Sequence, residues 1–392
     1  MNNIYSSDFS TSDSNLESSF GQTTSELSTE QPSSERSTAQ NYEQNYGQNN
    51  NNEFINNDFV NMCKGYKYVP AVMPAVRRII VIGDIHGDYN LAIKLLEIGK
   101  VIKKLDNGDI TWIGGDTYVV QVGDQIDRCR PGSVNGLPCS DPNGTINDEG
   151  SDLKILKLFT DIDKQADKHN GRVISLLGNH ELMNVMGNTD YVSYKGFEEE
   201  FGSKDARINA FKPGNSVGKL LGCSRLSAVI IGSNLFVHAG MLDALLEKLH
   251  IQKSGDLESI NVLTKKWLLG LINKEYVSHI VSNQSLSMFW TRILGNIPPN
   301  MSNENPDCIN HIGSVLKLFN IGSIIIGHTP HSFTYKCGIN STCDNAIWRV
   351  DNASSSAFHG YDEMYKKTGH VDSNRKPQVL EILDDRTFNI LS

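Results

Sequence analysis

The stretch Arg78-Ile-Ile-Val-Ile-Gly-Asp-Ile-His-Gly-Asp88 is a β-branched run closed by glycine, after which a carboxylate and an imidazole follow two residues apart. Short apolar runs bounded by glycine read as strands buried on both faces. The same texture recurs along the chain. Tyr118-Val-Val-Gln-Val-Gly123 leads to Asp124, and Val173-Ile-Ser-Leu-Leu-Gly178 leads to Asn179 and His180. Ala228-Val-Ile-Ile231 followed by Leu235-Phe-Val237 leads to His238, and Ile324-Ile-Ile-Gly327 leads to His328. Between these runs lie helical spacings: Leu91, Leu95, Leu96 and Ile98 before Gly99, then Leu153, Leu156, Phe159, Ile162 and Ala166 behind Ser151 or Asp152 as N-cap. Alternating strand and helix predicts an α/β domain.

Four of the eleven histidines (His86, His180, His238, His328) fall at or just past predicted strand ends, together with Asp84, Asp124 and Asn179. Ligands of open α/β sheets bind at the carboxyl ends of strands, so a fold that gathers these ends assembles a mixed nitrogen and oxygen set. Imidazole combined with carboxylate suits Mn²⁺, Fe or Zn²⁺ rather than Mg²⁺ or Ca²⁺. Asp84 and His86, two apart, point the same way at a strand end. Leaving His180 aside, the remaining six groups are too many for one catalytic ion with an open position, and they fit two ions sharing a carboxylate. Such pairs, about 3.5–4 Å apart, clamp the attacking and leaving oxygens of a phosphoryl displacement. Hydrolysis of a phosphoester is the expected reaction.

Five motifs then carry a resemblance: Gly-Asp-Ile-His-Gly-Asp (83–88), Gly-Asp-Gln-Ile-Asp-Arg (123–128), Gly-Asn-His-Glu (178–181), Val-His-Ala-Gly (237–240) and Gly-His-Thr (327–329). In order and rough spacing they resemble the calcineurin-like metallophosphoesterases, and within them the phosphoprotein phosphatase group. Leu182-Met-Asn-Val-Met-Gly-Asn-Thr-Asp-Tyr-Val192 and Phe289-Trp-Thr-Arg292 are most similar to the bacterial-type Shewanella-like phosphatases. The resemblance spans about residues 77 to 352. It implies a sandwich with a central pair of mixed β-sheets flanked by helices. It also implies a first metal held by Asp84, His86 and Asp124, with Asp124 bridging to a second held by Asn179, His238 and His328. Mn²⁺ is the expected metal, with Fe or Zn²⁺ as alternatives. Arg128 and Arg292 would grip phosphate oxygens. His180, oriented by Asp127, would protonate the leaving oxygen while a metal-bridging hydroxide attacks phosphorus in line, and none of the cysteines would be a nucleophile.

Gln125-Ile126, Cys129 and Ala239 depart from the motifs common in the eukaryotic Ser/Thr enzymes, which leaves the ligand set intact and opens the substrate preference. A phosphorylated protein is the expected substrate. A dinucleoside-polyphosphate hydrolase uses nearly the same core, and a silent metal-binding scaffold is the reading from another class. Asp351 is given no catalytic role, and the seven other histidines, His331 among them, are assigned surface or structural places. The 129–150 insertion reads equally as a wall of the cleft or as a solvated loop.

The composition of the 392 residues bounds the rest. Of the net charge of −9, residues 1–50 carry −6 through seven acids and one base, which leaves −3 for the body. That balance does not favour nucleic acid or an acidic membrane as partner. The same 50 residues contain 12 Ser, 5 Thr, 7 Asn and 5 Gln without apolar periodicity, so residues 1–57 are expected to be a disordered tail. Residues 58–76 follow as linker and residues 77–392 as one domain. No basic and apolar leader is seen at the start, and no run approaches the roughly 18 apolar residues of a membrane span. Seven cysteines without a Cys-x-x-Cys pair suggest reduced thiols in a cytoplasmic protein, with Cys129–Cys139 or Cys337–Cys343 as bridges formed only under oxidation.

Overall fold

The computed structural model describes residues 48–282, 284–367 and 375–392. After a short β1 (Val72–Met73), the run that opens the domain forms β2 (Arg78–Ile82). The chain continues through a hairpin of β3 (Ile102–Lys104) and β4 (Ile110–Trp112) to β5 (Tyr118–Gln121) and β6 (Arg172–Leu176). Next come β7 (Arg225–Leu226), β8 (Ala228–Ile231), β9 (Asn234–Val237) and β10 (Ser323–Ile326). The last four strands are β11 (Asn340–Thr342), β12 (Ile347–Arg349), β13 (Val379–Leu383) and β14 (Thr387–Leu391).

Two six-stranded mixed sheets result, ordered β14-β13-β2-β5-β6-β7 and β1-β8-β9-β10-β12-β11. In the first, β2, β5, β6 and β7 are parallel and β13 runs antiparallel to β2. In the second, β9, β10 and β12 are parallel, β8 runs antiparallel to β9 and parallel to β1, and β11 runs antiparallel to β12. The expected sandwich with two mixed sheets is therefore the observed architecture.

Strand periodicity explains why β2 is apolar from Ile79 to Ile82. Ile79 and Val81 enter the core between the sheets, where they meet Phe236, Ile325 and Trp348. Ile80 and Ile82 point the other way, against Leu91 and Leu95 of the helix Tyr89–Ile98 and Phe159 of the helix Asp152–Asp167. Alternate residues thus bury on opposite faces, so no polar position is left. The 39-member core cluster outside the second sheet draws on the helices Leu257–Leu268 and Pro306–Phe319.

Two sequence expectations are corrected. Residues 48–57, assigned to the tail, are ordered: an α-helix Gln48–Glu53 continues as a π-helix Phe54–Phe59 and then Val60–Met62. Phe54 and Phe59 sink into a cluster with Val262 and Leu269, so two aromatic anchors supply burial that the polar count did not register. The remainder of the expected tail lies outside the described residues. Six of the seven cysteines are not reduced thiols, Cys337 being the exception. Disulfides join Cys63 to Cys223, Cys129 to Cys139 and Cys308 to Cys343, which also excludes a Cys337–Cys343 bridge. Two of these pairs are brought together only by tertiary folding, beyond the reach of any spacing rule. Among the described residues no helix is long and apolar enough to cross a membrane.

Candidate active site

The carboxyl ends of β2, β5, β6, β9, β10 and β12 open onto one cavity of about 160 Å³, lined by His86, Asp124, Asn179, His180, Arg292 and His328, with Asp351 and Arg130 beside them. The strand-end loops are laced to one another. The amides of Ile85 and His86 donate to the Asp124 carbonyl, at 2.9 and 3.0 Å, and the Gly327 amide donates to the His238 carbonyl at 2.8 Å. His86, Asp124, Asp127 and His328 all adopt positive φ, between 49° and 74°. For residues other than glycine such conformations cost on the order of 1–3 kcal/mol each and persist only where surroundings impose them. The tight turns also set two glycines. A Cβ at Gly178 would overlap the Asp124 carboxylate, and one at Gly327 would overlap that of Asp84.

Each of three histidines uses one ring nitrogen on a backbone carbonyl. His238 Nδ1 lies 2.8 Å from the Val122 oxygen, His86 Nδ1 3.4 Å from that of Ile126, and His328 Nε2 3.1 Å from that of Trp290. This leaves the other nitrogen of each ring for the cluster and orients it, as metal-binding histidines require. His86 Nε2 lies 3.8 Å from Asp84 and 4.0 Å from Asp124, and His238 Nε2 lies 3.3 Å from Asp124 and 2.9 Å from Asn179 Oδ1. The Asp84 carboxylate accepts from the His328 amide at 3.0 Å. Ligand atoms of His86, Asp124 and His180 form one candidate metal group, and those of Asp124, His238 and His328 a second, with Asp124 common to both.

The electrostatics fit a cation. Burial, then Asp351 and Asp124, push the Asp84 carboxyl well above the usual carboxylate range. Burial and the Asp124 charge likewise raise Asp351, to about 6, against an amide bond from Ala353. Burial acts upward on Asp124 too, but His238, His180 and His86 around it hold it well below its ordinary value. His86 and His328 are held well below the usual imidazole range, first by burial and then by Arg130 and Arg292 respectively. Neutral imidazoles facing crowded buried carboxylates are the donor set that a divalent ion neutralises.

His180 sits at the first turn of the helix Asn179–Val185, its amide 3.0 Å from Asp124 Oδ1. Its Nδ1 meets Asp127 Oδ2 at 2.8 Å, and its Nε2 is 3.9 Å from Asp124 Oδ2. Asp127 is fully buried and held by groups that sequence reading missed. The Asn184 amide donates to both carboxylate oxygens (2.9 and 3.0 Å), and Arg207 lies 3.4 Å away while it pairs with Asp152 at 2.7 Å. Glu181 supports the neighbouring turn by accepting from the amides of Gly178, Asp124 and Gln125. Only the Glu of the Gly-Asn-His-Glu motif had a local signal; Arg207 comes from a distant helix.

Nine of the ten expected residues meet here, and one does not. Arg128 is not among the residues lining the cavity: it lies 3.7 Å from Asp88 and donates to the Asn147 carbonyl at 3.2 Å, while its buried Nε and Nη1 have no hydrogen-bond partner among the described residues. Arg292 does line the cavity and donates to the His328 carbonyl at 3.0 Å. The 129–150 insertion supplies a wall through Arg130 and Pro131.

Paired metal-ligand groups at the carboxyl ends of a two-sheet sandwich define the class, a metal-dependent phosphoester hydrolase. The family model described as calcineurin-like phosphoesterase matches residues 77–332, and the chain belongs to that family. An uncharacterized protein, R398, of Acanthamoeba polyphaga mimivirus is 41% identical over 60% of this chain and 97% of its own length. Shewanella-like protein phosphatase 2 of Arabidopsis thaliana is 26% identical over 80% of this chain and 77% of its own. Among solved structures, the cold-active protein-tyrosine phosphatase of a psychrophilic Shewanella species superposes with a TM-score of 0.55 at 18% identity, covering 83% of each chain.

Proposed function

We propose that the chain is a phosphomonoesterase acting on phosphorylated protein, with a dinuclear centre held by Asp84, His86, Asp124, Asn179, His238 and His328. The observation that carries this reading is the single carboxylate, Asp124, shared by two candidate groups beside a histidine with its own buried carboxylate partner. When bound, two such ions would supply an activated water and neutralise charge at phosphorus. The protein's own groups do the rest. Asp127 holds His180 with Nε2 turned to the cavity, where it can deliver a proton to the departing oxygen. Arg292 offers guanidinium donors to the phosphoryl oxygens. Mn²⁺ is the proposed metal, on the mixed donor set. The names of the Arabidopsis and Shewanella relatives support a phosphoprotein substrate.

Three disulfides support an oxidising compartment in place of the cytoplasm expected from the cysteine spacing. Residues 77–392 are proposed to act as one catalytic domain. The test of the whole reading is hydrolysis of para-nitrophenyl phosphate and of phosphopeptides by Mn²⁺-loaded protein. EDTA should abolish it, and His180→Ala should lower turnover with metal content retained. Full metal loading without turnover on either substrate would defeat the proposal.

A further inference from the structure

Arg207 lies on the helix Lys204–Phe211 and is fully buried, so its charge persists only with partners around it. Its Nε donates to Asn184 Oδ1 at 2.9 Å, its Nη1 to the Gly196 carbonyl at 3.1 Å and its Nη2 to Asp152 Oδ2 at 2.7 Å. Asp127 Oδ1 lies 3.4 Å from the guanidinium and Glu200 Oε2 3.5 Å. The rings of Phe201 and Phe211 stand 5.3 and 4.9 Å from its central carbon.

Three carboxylates thus share this guanidinium, and they share it unequally. Burial, then Asp152, push Glu200 up to about 8, so at neutral pH it holds a proton and leaves Arg207 to Asp152 and Asp127. Asp152 also accepts the Asp127 amide at 3.2 Å, so one carboxylate steadies both the cation and the backbone beside it. Asn184 closes the frame. Because its Oδ1 takes the Arg207 Nε–H, its amide nitrogen faces Asp127 and donates to both carboxylate oxygens and to the His180 carbonyl. A flipped amide would set oxygen against carboxylate.

We infer that Arg207 is a positioning residue for proton delivery: it orients the Asn184 amide and holds Asp127 in the arrangement that aims His180 at the cavity. The inference rests on the proposed phosphoester reading and deepens it. Arg207 is not among the residues lining the cavity, so it acts on the chemistry only through Asn184 and Asp127. Glu200 is the protonated bystander of the network.

Arg207→Met removes the cation, and Arg207→Lys keeps the charge without the planar fork that spans Asn184, Asp127 and Asp152. In the Mn²⁺-loaded full chain, kcat for a phosphoserine peptide should fall about 10- to 100-fold in Arg207→Met and less in Arg207→Lys. KM should stay within about twofold, and para-nitrophenyl phosphate, whose leaving group needs no proton, should lose about threefold or less. In a His180→Ala background neither variant should lower peptide turnover by more than about a further twofold. Glu200→Gln, which keeps the protonated shape, should leave both substrates within about twofold of wild type. If Arg207→Met does not fold, Arg207→Lys decides the same comparison. Equal losses on the two substrates, or losses that add to that of His180→Ala, would make Arg207 a structural ion and overturn the inference. Proton NMR supplies a readout without turnover. The low-field signal of the His180 Nδ1–H, identified by its absence in His180→Ala, should shift or vanish in Arg207→Lys and persist in Glu200→Gln. An unchanged signal in folded Arg207→Lys would also overturn the inference. A shifted signal in a chain that hydrolyses neither substrate would sink the phosphatase reading and leave the positioning role standing.

Discussion

Replacing Asp127 by Asn changes one atom at a position that is fully buried, and so isolates the carboxylate's charge from its shape. The carboxylate lies 2.8 Å from His180 Nδ1. Asn keeps a hydrogen bond to the ring but removes the charge that steadies it while it gives up its proton. Proton delivery to a leaving oxygen contributes about 10²–10⁴ in rate, which the substitution should largely remove. The demand for a proton depends on the leaving group. An alkoxide such as that of serine departs poorly unprotonated, whereas para-nitrophenolate departs well without help. Turnover of a phosphoserine peptide should therefore fall by about 10²–10³, and turnover of para-nitrophenyl phosphate by about tenfold or less. Arg207 retains Asp152 at 2.7 Å, so the fold should lose only about 1–2 kcal/mol. The assay is steady-state kinetics on both substrates, with metal content and melting temperature as controls. Equal losses on the two substrates would refute His180 as proton donor.

Two further outcomes follow from features away from the chemistry. Lys265 is buried with its ammonium on the carbonyls of Gly222 and Arg225, and burial, aided by Arg225, lowers it to about 7 against the pull of Glu258. Below that pH it is charged in both states, whereas between about 7 and 10.5 only the unfolded chain holds the proton, so stability rises with pH across that window, by at most about 5 kcal/mol. Relative to Lys265→Met, the unfolding free energy of the wild type should climb between pH 7 and 9.5, and a constant difference would contradict this. The Cys63–Cys223 disulfide closes a separation of 160 residues, for which chain entropy alone gives about 5 kcal/mol. A Cys63→Ser, Cys223→Ser double variant should melt lower and be cleaved faster by protease near residues 48–62, while turnover stays within about twofold.

The local signals were strong where one segment contains the whole cause. A β-branched run ending in glycine is a buried strand whichever neighbours it finds, and β2, β5, β6, β8, β9 and β10 lie where the runs place them. Because ligands sit at strand ends, Asp84, His86, Asp124, Asn179, His238 and His328 were legible as candidate donors, four of which fall in the two candidate metal groups, and the pairing of His180 with Asp127 was legible too. Asp351 was legible as a strand-end acid but undervalued, since its closeness to Asp84 and Asp124 depends on how β12 aligns with β10.

Other features depend on which segments meet. Arg207 supports Asp127 across 80 residues, Cys63 finds Cys223 across 160, and Phe54 and Phe59 order a polar stretch by entering a cluster with Val262. The placing of Arg130 at the cavity beside His86 is of the same kind. No motif contains Arg130, which reaches the cavity through the turn at Asp127 and between the rings of Tyr191 and Phe358. The sequence by itself determined the strands, the donor residues at their ends and hence the class of chemistry, because hydrophobic periodicity and donor type are local properties. Tertiary structure alone decided which cation faces the cavity, which cysteines pair and where order begins, because those outcomes depend on distances between residues far apart in the chain.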